Sequence, residues 1–182
     1  MISGVKTSSI IRTIYIESVN FCPNNNKLPA RFKNITFKNL PGRVVLSIQI
    51  NVTETLKAPL EYSAHGERCD MQKTNCIKKN SPPSSDFCPV WNTIYGQFKE
   101  VQLWASKVKP PVTKCPIQKN FYEVTDLEVD YRNIINLIPI RDGRFNFKYE
   151  IFDRKNGNRR LAACFLVSSK VQMSSSRQRS KN

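Results

Sequence analysis

Apolar and polar residues alternate with a period of two along several stretches of this chain. The clearest stretch runs from Arg144 to Ile151, where every second residue from Phe145 onward is apolar, and a second runs from Val44 to Thr53. Successive side chains of a β-strand point to opposite faces, so the pattern predicts strands with one buried face. The predicted inner faces carry Ile35, Phe37, Leu46, Ile48, Ile50, Phe145, Phe147, Tyr149 and Ile151.

Further strands are predicted near residues 32–40, 127–131 and 163–169. Before the last of them, the sequence DRKNGNRR contains Asn156-Gly157, a pair that supplies the positive φ angles of a tight hairpin. The final two strands are therefore predicted to pair antiparallel. Strands at this density predict an all-β fold, an immunoglobulin-like antiparallel β-sandwich.

One domain is expected, over residues 15–172, because the length of 182 residues suits a single core. Residues 1–14 are an N-terminal segment of unclear status. Residues 173–182 are polar and basic, and this composition predicts a disordered tail. The opening residues lack the roughly 7–15 apolar residues of a signal peptide. We expect that a targeting segment is missing or replaced here.

The stretch from Phe87 to Lys107 departs from the alternation, because its apolar residues recur at three- and four-residue spacing. This spacing predicts a short helix, with Pro89 tolerated in its first turn. The helix carries Trp91, Ile94, Phe98 and Trp104. These side chains either pack against the sandwich or form a lid over an apolar cavity, and the sequence alone favours packing.

The chain has six cysteines, at Cys22, Cys69, Cys76, Cys88, Cys115 and Cys164, and two Asn-x-Thr sequons. The sequon residues Asn34 and Asn51 fall on predicted outer faces. Together these features predict disulfides, glycosylation and a secreted protein, with the lysosomal lumen as the second choice. A zinc site is not expected, because there is no Cys-x2-Cys pair and only one histidine.

The net charge is +15, from 29 Lys and Arg against 14 Asp and Glu. This excess favours anionic partners such as lipid head groups, membrane surfaces or acidic glycans. Nucleic acid is not expected as a partner of an extracellular protein. A solvated basic surface without a dedicated partner explains the charge equally well.

No catalytic constellation is present in the sequence. It has no Gly-x-Ser-x-Gly elbow, no His-Glu-x-x-His pair and no phosphate-binding glycine loop. His65 is the only histidine and is predicted to lie in a polar surface loop. We therefore expect a binding protein rather than an enzyme, without catalytic residues, metal or cofactor.

The C-terminal half resembles a known family. The segments are CPIQKNFYEV, from Cys115 to Val124, and IPIRDGRFNFKYEIFDRKNGNRRLAACFLV, from Ile138 to Val167. They look like the ganglioside activator protein and the insect CheB chemosensory proteins of the ML lipid-recognition superfamily. The matching positions are Cys115, Pro116, Tyr122, Gly143, Phe145 and Cys164. The N-terminal half matches more loosely, so the resemblance spans about residues 15–172.

Six cysteines allow fifteen pairings, and only the resemblance chooses among them. It implies the pairs Cys22–Cys164, Cys69–Cys76 and Cys88–Cys115. Two departures from the family are evident: Asn120 stands where the family has glycine, and the ganglioside activator's fourth disulfide has no counterpart between Cys88 and Cys115. Specificity for gangliosides is therefore not carried over.

In this family two splayed sheets form an apolar cup for acyl chains. The resemblance implies that the inner-face residues named above line such a cup, although each would serve equally as ordinary core. Trp91, Ile94, Phe98 and Trp104 would form its rim or lid.

The leading hypothesis is a secreted, non-enzymatic carrier of lipids or small hydrophobic ligands in pheromone or taste signalling, which implies a receptor or partner protein. The alternative is a cationic adhesion or defence protein that binds acidic glycans or anionic membranes and has no cavity.

Overall fold

The computed structural model describes residues 9–80, 86–97, 99–132 and 142–176. These residues form nine strands, two α-helices and one 3-10 turn, Asn25–Lys27. The strands are β1 Ser9–Phe21, β2 Ala30–Leu40, β3 Arg43–Val52, β4 Glu61–Cys69, β5 Cys76–Asn80, β6 Val108–Lys109, β7 Asn120–Asp130, β8 Gly143–Lys155 and β9 Asn158–Ser176. The helices are α1 Phe87–Gln97 and α2 Lys99–Ser106.

The strands form two antiparallel sheets. The five-stranded sheet has the order β1-β9-β8-β4-β5, and the four-stranded sheet has the order β2-β3-β7-β6. The predicted all-β sandwich is confirmed. None of the helices among the described residues is long and apolar enough to cross a membrane.

The predicted hairpin near the C-terminus is confirmed. β8 and β9 pair antiparallel down to Lys155 and Asn158, leaving Asn156 and Gly157 as the two turn residues. Their φ angles are 53° and 79°. Both central residues of such a turn need positive φ, which asparagine and glycine adopt most readily.

The sandwich extends further at both ends of the chain than the sequence predicted. β1 begins at Ser9, and its pairing with β9 continues to Ser9 opposite Ser176. The predicted boundaries at residues 15 and 172 were therefore too narrow, and residues 173–176 are strand rather than tail. The two segments satisfy each other's backbone hydrogen bonds, a pairing that the local composition of either one does not reveal.

The predicted helical stretch consists of two helices, with Phe98 between them outside the described residues. Asp86 begins α1 as its N-cap, because Asp86 Oδ1 accepts the Cys88 N–H at 3.0 Å. The same oxygen accepts the Leu60 N–H at 2.8 Å, so one carboxylate anchors the helix to the residue before β4.

Three disulfides connect the chain, and their pairings are the ones the family resemblance implied. Cys22–Cys164 ties the segment after β1 to β9 across 142 residues of sequence. Cys69–Cys76 closes the β4–β5 hairpin. Cys88–Cys115 attaches α1 to the segment that precedes β7. The cysteines are all paired, as expected for an oxidising compartment.

Full burial is concentrated at the two ends of the sandwich. The end beside α1, which we call the helix end, contains Phe32, Val52 and Leu60. The opposite end, which we call the Tyr131 end, contains Val44, Tyr131 and Val171. Between them the inner-facing residues of β3 and β8 are only half-buried. The fully buried side chains thus lie toward the two ends, and the inner-face residues between them keep part of their surface exposed.

Candidate ligand cavity between the sheets

A row of aromatic rings lies on the inner face of the five-stranded sheet. The ring centroids of Phe145 and Phe147 are 6.2 Å apart. Those of Phe147 and Tyr149 are 5.8 Å apart, and Tyr149 stacks on Phe165 of β9 at 5.0 Å. Residues i and i+2 of a strand share a face, so the alternation in β8 builds this row directly. We call these four residues the aromatic ladder.

Small residues oppose the aromatic ladder on the neighbouring strand. Gly66 of β4 pairs with Phe147, and Ala64 pairs with Tyr149. Cross-strand partners point to the same face, so large rings stand beside almost no side-chain volume. β4 therefore contributes little side-chain volume beside Phe147 and Tyr149.

The four-stranded sheet presents a mainly aliphatic inner face. Ile35 and Phe37 of β2 pair with Ile48 and Leu46 of β3. Ile50 of β3 pairs with Tyr122 of β7, whose buried hydroxyl donates to the Gln118 carbonyl at 2.9 Å. All these β2 and β3 residues are half-buried.

All nine predicted lining residues therefore lie on the inner faces. They are partly exposed, and most of them also pack against the two core clusters. A ligand-binding role for them stays a prediction. The sequence reading did not assign the ladder residue Phe165 to the lining, although its alternation with Ala163 and Val167 was visible.

The two sheets are joined along one side. Phe32 of β2 meets Phe165 edge-on at 5.3 Å and stacks with Phe21 of β1 at 6.2 Å. The Asn39 side chain accepts the Ile16 N–H and donates to the Ile16 carbonyl, each at 2.9 Å. The layers approach most closely where β1 and β9 face β2.

Burial changes the chemistry of the ladder's one hydroxyl. Tyr149 is in surroundings that exclude water enough to raise the pKa of its phenol. The phenol therefore stays neutral at physiological pH. The ladder is uncharged along its full length.

Among the predicted rim residues, the structure describes the side chain of Trp91. It lies between Phe87 and Tyr95, with centroid distances of 5.8 and 6.2 Å, on one stripe of α1. Its indole Nε1 is buried and has no acceptor in the described part of the chain. Ile94 and Trp104 belong to the helices, but their side chains, like all of Phe98, lie outside the described residues.

His65 lies in β4, not in the predicted polar loop. The prediction was wrong because the inner face of β4 carries Ala64 and Gly66, which do not produce a hydrophobic alternation. Both Ser63 Oγ and Glu150 Oε2 are 3.2 Å from the same atom, His65 Nε2. A catalytic relay needs the carboxylate and the nucleophile on opposite ring nitrogens, so these three residues do not form one.

The outer face of the five-stranded sheet contains an open groove of about 380 Å³. Polar side chains such as His65, Glu67 and Lys148 line it, but most of its exposed lining surface is apolar, and Phe147, Leu166 and Val167 contribute to it. Glu67 also lies near Cys69 and Cys76, a grouping that resembles a metal site. The two sulfurs are bonded to each other, so they are not available as thiolate ligands.

Both sequons lie on the outer face of the four-stranded sheet, as predicted. Asn34 is exposed and pairs with Gln49, whereas Asn51 is half-buried and pairs with Arg31 and Phe121. They occupy adjacent strands, so glycans attached there would cover one side of the sandwich and leave its interior open. Attachment itself stays a prediction.

Part of the positive charge is used within the β8–β9 hairpin. Arg160 binds the buried carboxylate of Asp153 through two hydrogen bonds and also donates to Glu54. The hydrogen bond from Arg160 lowers the pKa of Glu54. Arg154 and Arg159 both pair with Glu61. These arginines are structural and contribute little to an anion-binding surface.

No protein-family model and no curated protein matches this sequence. The resemblance to the ML lipid-recognition superfamily therefore remains an expectation from the residues themselves.

Proposed function

We propose that this protein is an extracellular, non-enzymatic carrier that holds a lipid or small hydrophobic ligand between its two sheets. The single observation that supports the proposal is the partial exposure of apolar side chains that point inward. In this proposal the aromatic ladder and the aliphatic face opposite it are the two apolar walls of the ligand site. Each ligand CH2 group buried there would contribute about 0.8 kcal/mol.

The resemblance to the ML superfamily supports the same proposal and adds its context. A relation to the CheB branch would place the carrier in chemosensory signalling, as a glycoprotein that presents hydrophobic cues to a receptor. The three disulfides are compatible with an extracellular location.

Uptake of a neutral fluorescent probe, N-phenyl-1-naphthylamine, by protein from a secretory host tests the proposal. Phe147→Asp should reduce probe affinity at least about tenfold, because it places a charge on the apolar wall. The matched control is Asn146→Asp, which introduces the same side chain at the next residue but on the outer face. It should bind like the unaltered protein.

Circular dichroism must show that both variants remain folded. The proposal is wrong if the unaltered protein takes up no probe and yields no lipid in native mass spectrometry. An empty protein that is strongly retained on heparin would instead favour the cationic glycan-binding alternative. Equal probe affinity in folded Phe147→Asp and Asn146→Asp would remove the aromatic ladder from the site.

A further inference from the structure

Two arginines interrupt the apolar inner face of the five-stranded sheet. Arg12 of β1 shares its face with Ile14 and Ile16, which pack against Val44 and Tyr131 of the opposite sheet. Alternation therefore directs Arg12 between the layers. Arg12 lies within residues 1–14, which the local pattern did not predict to be part of the fold.

Arg68 of β4 also points inward, since it is the cross-strand partner of Phe145. Its Nη2 donates to the Asp142 carbonyl at 3.0 Å, so the side chain extends across Gly143 toward the Tyr131 end. A Cβ on Gly143 would lie 3.5 Å from Arg68 Nε and 2.6 Å from the Cys69 carbonyl oxygen. The contact with the Cys69 carbonyl is the prohibitive one, so glycine at 143 allows the close approach of the β4 backbone, whereas the contact with Arg68 would be ordinary.

The guanidinium groups of Arg12 and Arg68 are alike in the hydrogen bonding of their Nε atoms. Nε of Arg12 and Nε of Arg68 are both buried and have no hydrogen-bond acceptor within the described part of the chain. The ten ion pairs among the described residues involve other cations. Leaving such a buried donor without an acceptor costs free energy, so each of the two Nε atoms calls for an explanation.

Position links Arg68 to the aromatic ladder, whereas Arg12 lies on the same face of the sheet but on β1, with β9 and β8 between it and β4. Phe145 is the first ring of the ladder and the direct partner of Arg68, so a chain lying along the ladder would end beside the guanidinium. The planar fork of arginine matches the oxygens of a carboxylate or phosphate. The apolar wall and the arginines together suit one amphiphilic molecule.

We propose that Arg12 and Arg68 bind the anionic head, a carboxylate or phosphate, of an amphiphile whose hydrocarbon chain lies along the aromatic ladder. This proposal rests on the carrier function proposed above and names the class of its ligand. A site of this kind would prefer anionic amphiphiles over neutral hydrocarbons or alcohols.

Three ligands with the same chain and different heads test this proposal: hexadecanoate, hexadecyl phosphate and hexadecanol. Their affinities are measured by displacement of the neutral fluorescent probe. At least one anionic ligand should bind tighter than the alcohol by about tenfold or more, because a hydrogen bond to a charged group has that effect. The tighter of the two anions identifies the head group as carboxylate or phosphate.

Arg12→Gln and Arg68→Gln should each weaken binding of the preferred anion by about tenfold and leave hexadecanol binding unchanged. The control Lys170→Gln removes a cation from the same sheet, at the outer-face partner of Arg144. It should change neither affinity. If a glutamine variant does not fold, Arg68→Lys replaces it, because lysine keeps the charge and lacks Nε. This variant should bind the anion with a smaller preference over the alcohol than the unaltered protein shows.

The outcomes separate the two proposals. Equal binding of the acid, the phosphate and the alcohol by the unaltered protein would overturn the role of the arginines and leave the carrier function standing. If none of the three ligands binds, the carrier function itself is wrong. Loss of anion and alcohol binding together in a folded Arg68→Gln would show a steric role and overturn head-group recognition.

Discussion

Buried polar groups in this sandwich are of two kinds: some have hydrogen-bond partners and others have none. Arg12 and Arg68 have buried donors without an acceptor, whereas Asp153 is 1% exposed and fully paired with Arg160. Removing one partner of such a buried ion pair destabilises the fold, because the other charge then remains buried without a partner. The contrast indicates that each of the two inward arginines keeps one donor, Nε, that a ligand could use.

We expect Arg160→Gln to destabilise the fold by about 3–5 kcal/mol, because it leaves the Asp153 carboxylate buried and unpaired. Its neighbour provides the control. Arg159 pairs with the partly exposed Glu61 and stacks over Phe152 at 3.5 Å. Arg159→Gln should therefore cost about 1 kcal/mol. Urea denaturation measures both, and equal losses would contradict a special role for the buried pair.

At the scale of elements, the edge of β1 is protected by a side chain. A strand edge exposes unpaired N–H and C=O groups that invite association. Asn39 of β2 satisfies one such pair at Ile16, beside the bulge between Ile16 and Ser18. A single amide thus acts like a short segment of a neighbouring strand and holds the two sheets together on this side.

Asn39→Ala should lower the free energy of unfolding by about 1–3 kcal/mol, since it leaves two backbone groups of Ile16 without partners. Hydrogen exchange of the Ile16 amide should accelerate as well. Lys38→Ala, on the exposed face of the same strand, is the control and should have little effect on either measurement. Unchanged exchange at Ile16 in Asn39→Ala would show that the bridge is not needed.

For the whole molecule, the disulfides differ most in the length of chain they close. Cys22–Cys164 spans 142 residues and Cys69–Cys76 spans 7. Loop-closure entropy predicts about 5 kcal/mol of stabilisation for the first and about 2 kcal/mol for the second. The long link joins the first strand to the last one and so constrains most of the unfolded chain.

Replacing both cysteines of a pair by serine tests this ranking. The double variant at Cys22 and Cys164 should lose more stability than the double variant at Cys69 and Cys76, measured by thermal denaturation under identical conditions. An equal or reversed ranking would mean that the local hairpin, rather than the long closure, carries the stabilisation.

Much of the architecture was determined by the sequence alone, because period-two alternation and turn chemistry are local signals. They predicted β3, β8 and the hairpin at Asn156-Gly157, as well as which residues of β2, β3 and β8 face inward. β4 escaped detection because Ala64 and Gly66 carry no hydrophobic signal. β1 was not predicted, because its strand pairing depends on β9, which lies more than a hundred residues away in the chain.

Only the tertiary structure decided how the sheets meet and what remains between them. Alternation orients Phe147 or Arg68 toward one face of a strand, but it does not say whether the opposite layer fills the space there. That depends on where β1, β9 and β2 converge and on which small residues stand beside the aromatic rings. Burial and hydrogen-bond satisfaction are properties of the assembled layers, so the unsatisfied Nε donors of Arg12 and Arg68 became visible only in the folded molecule.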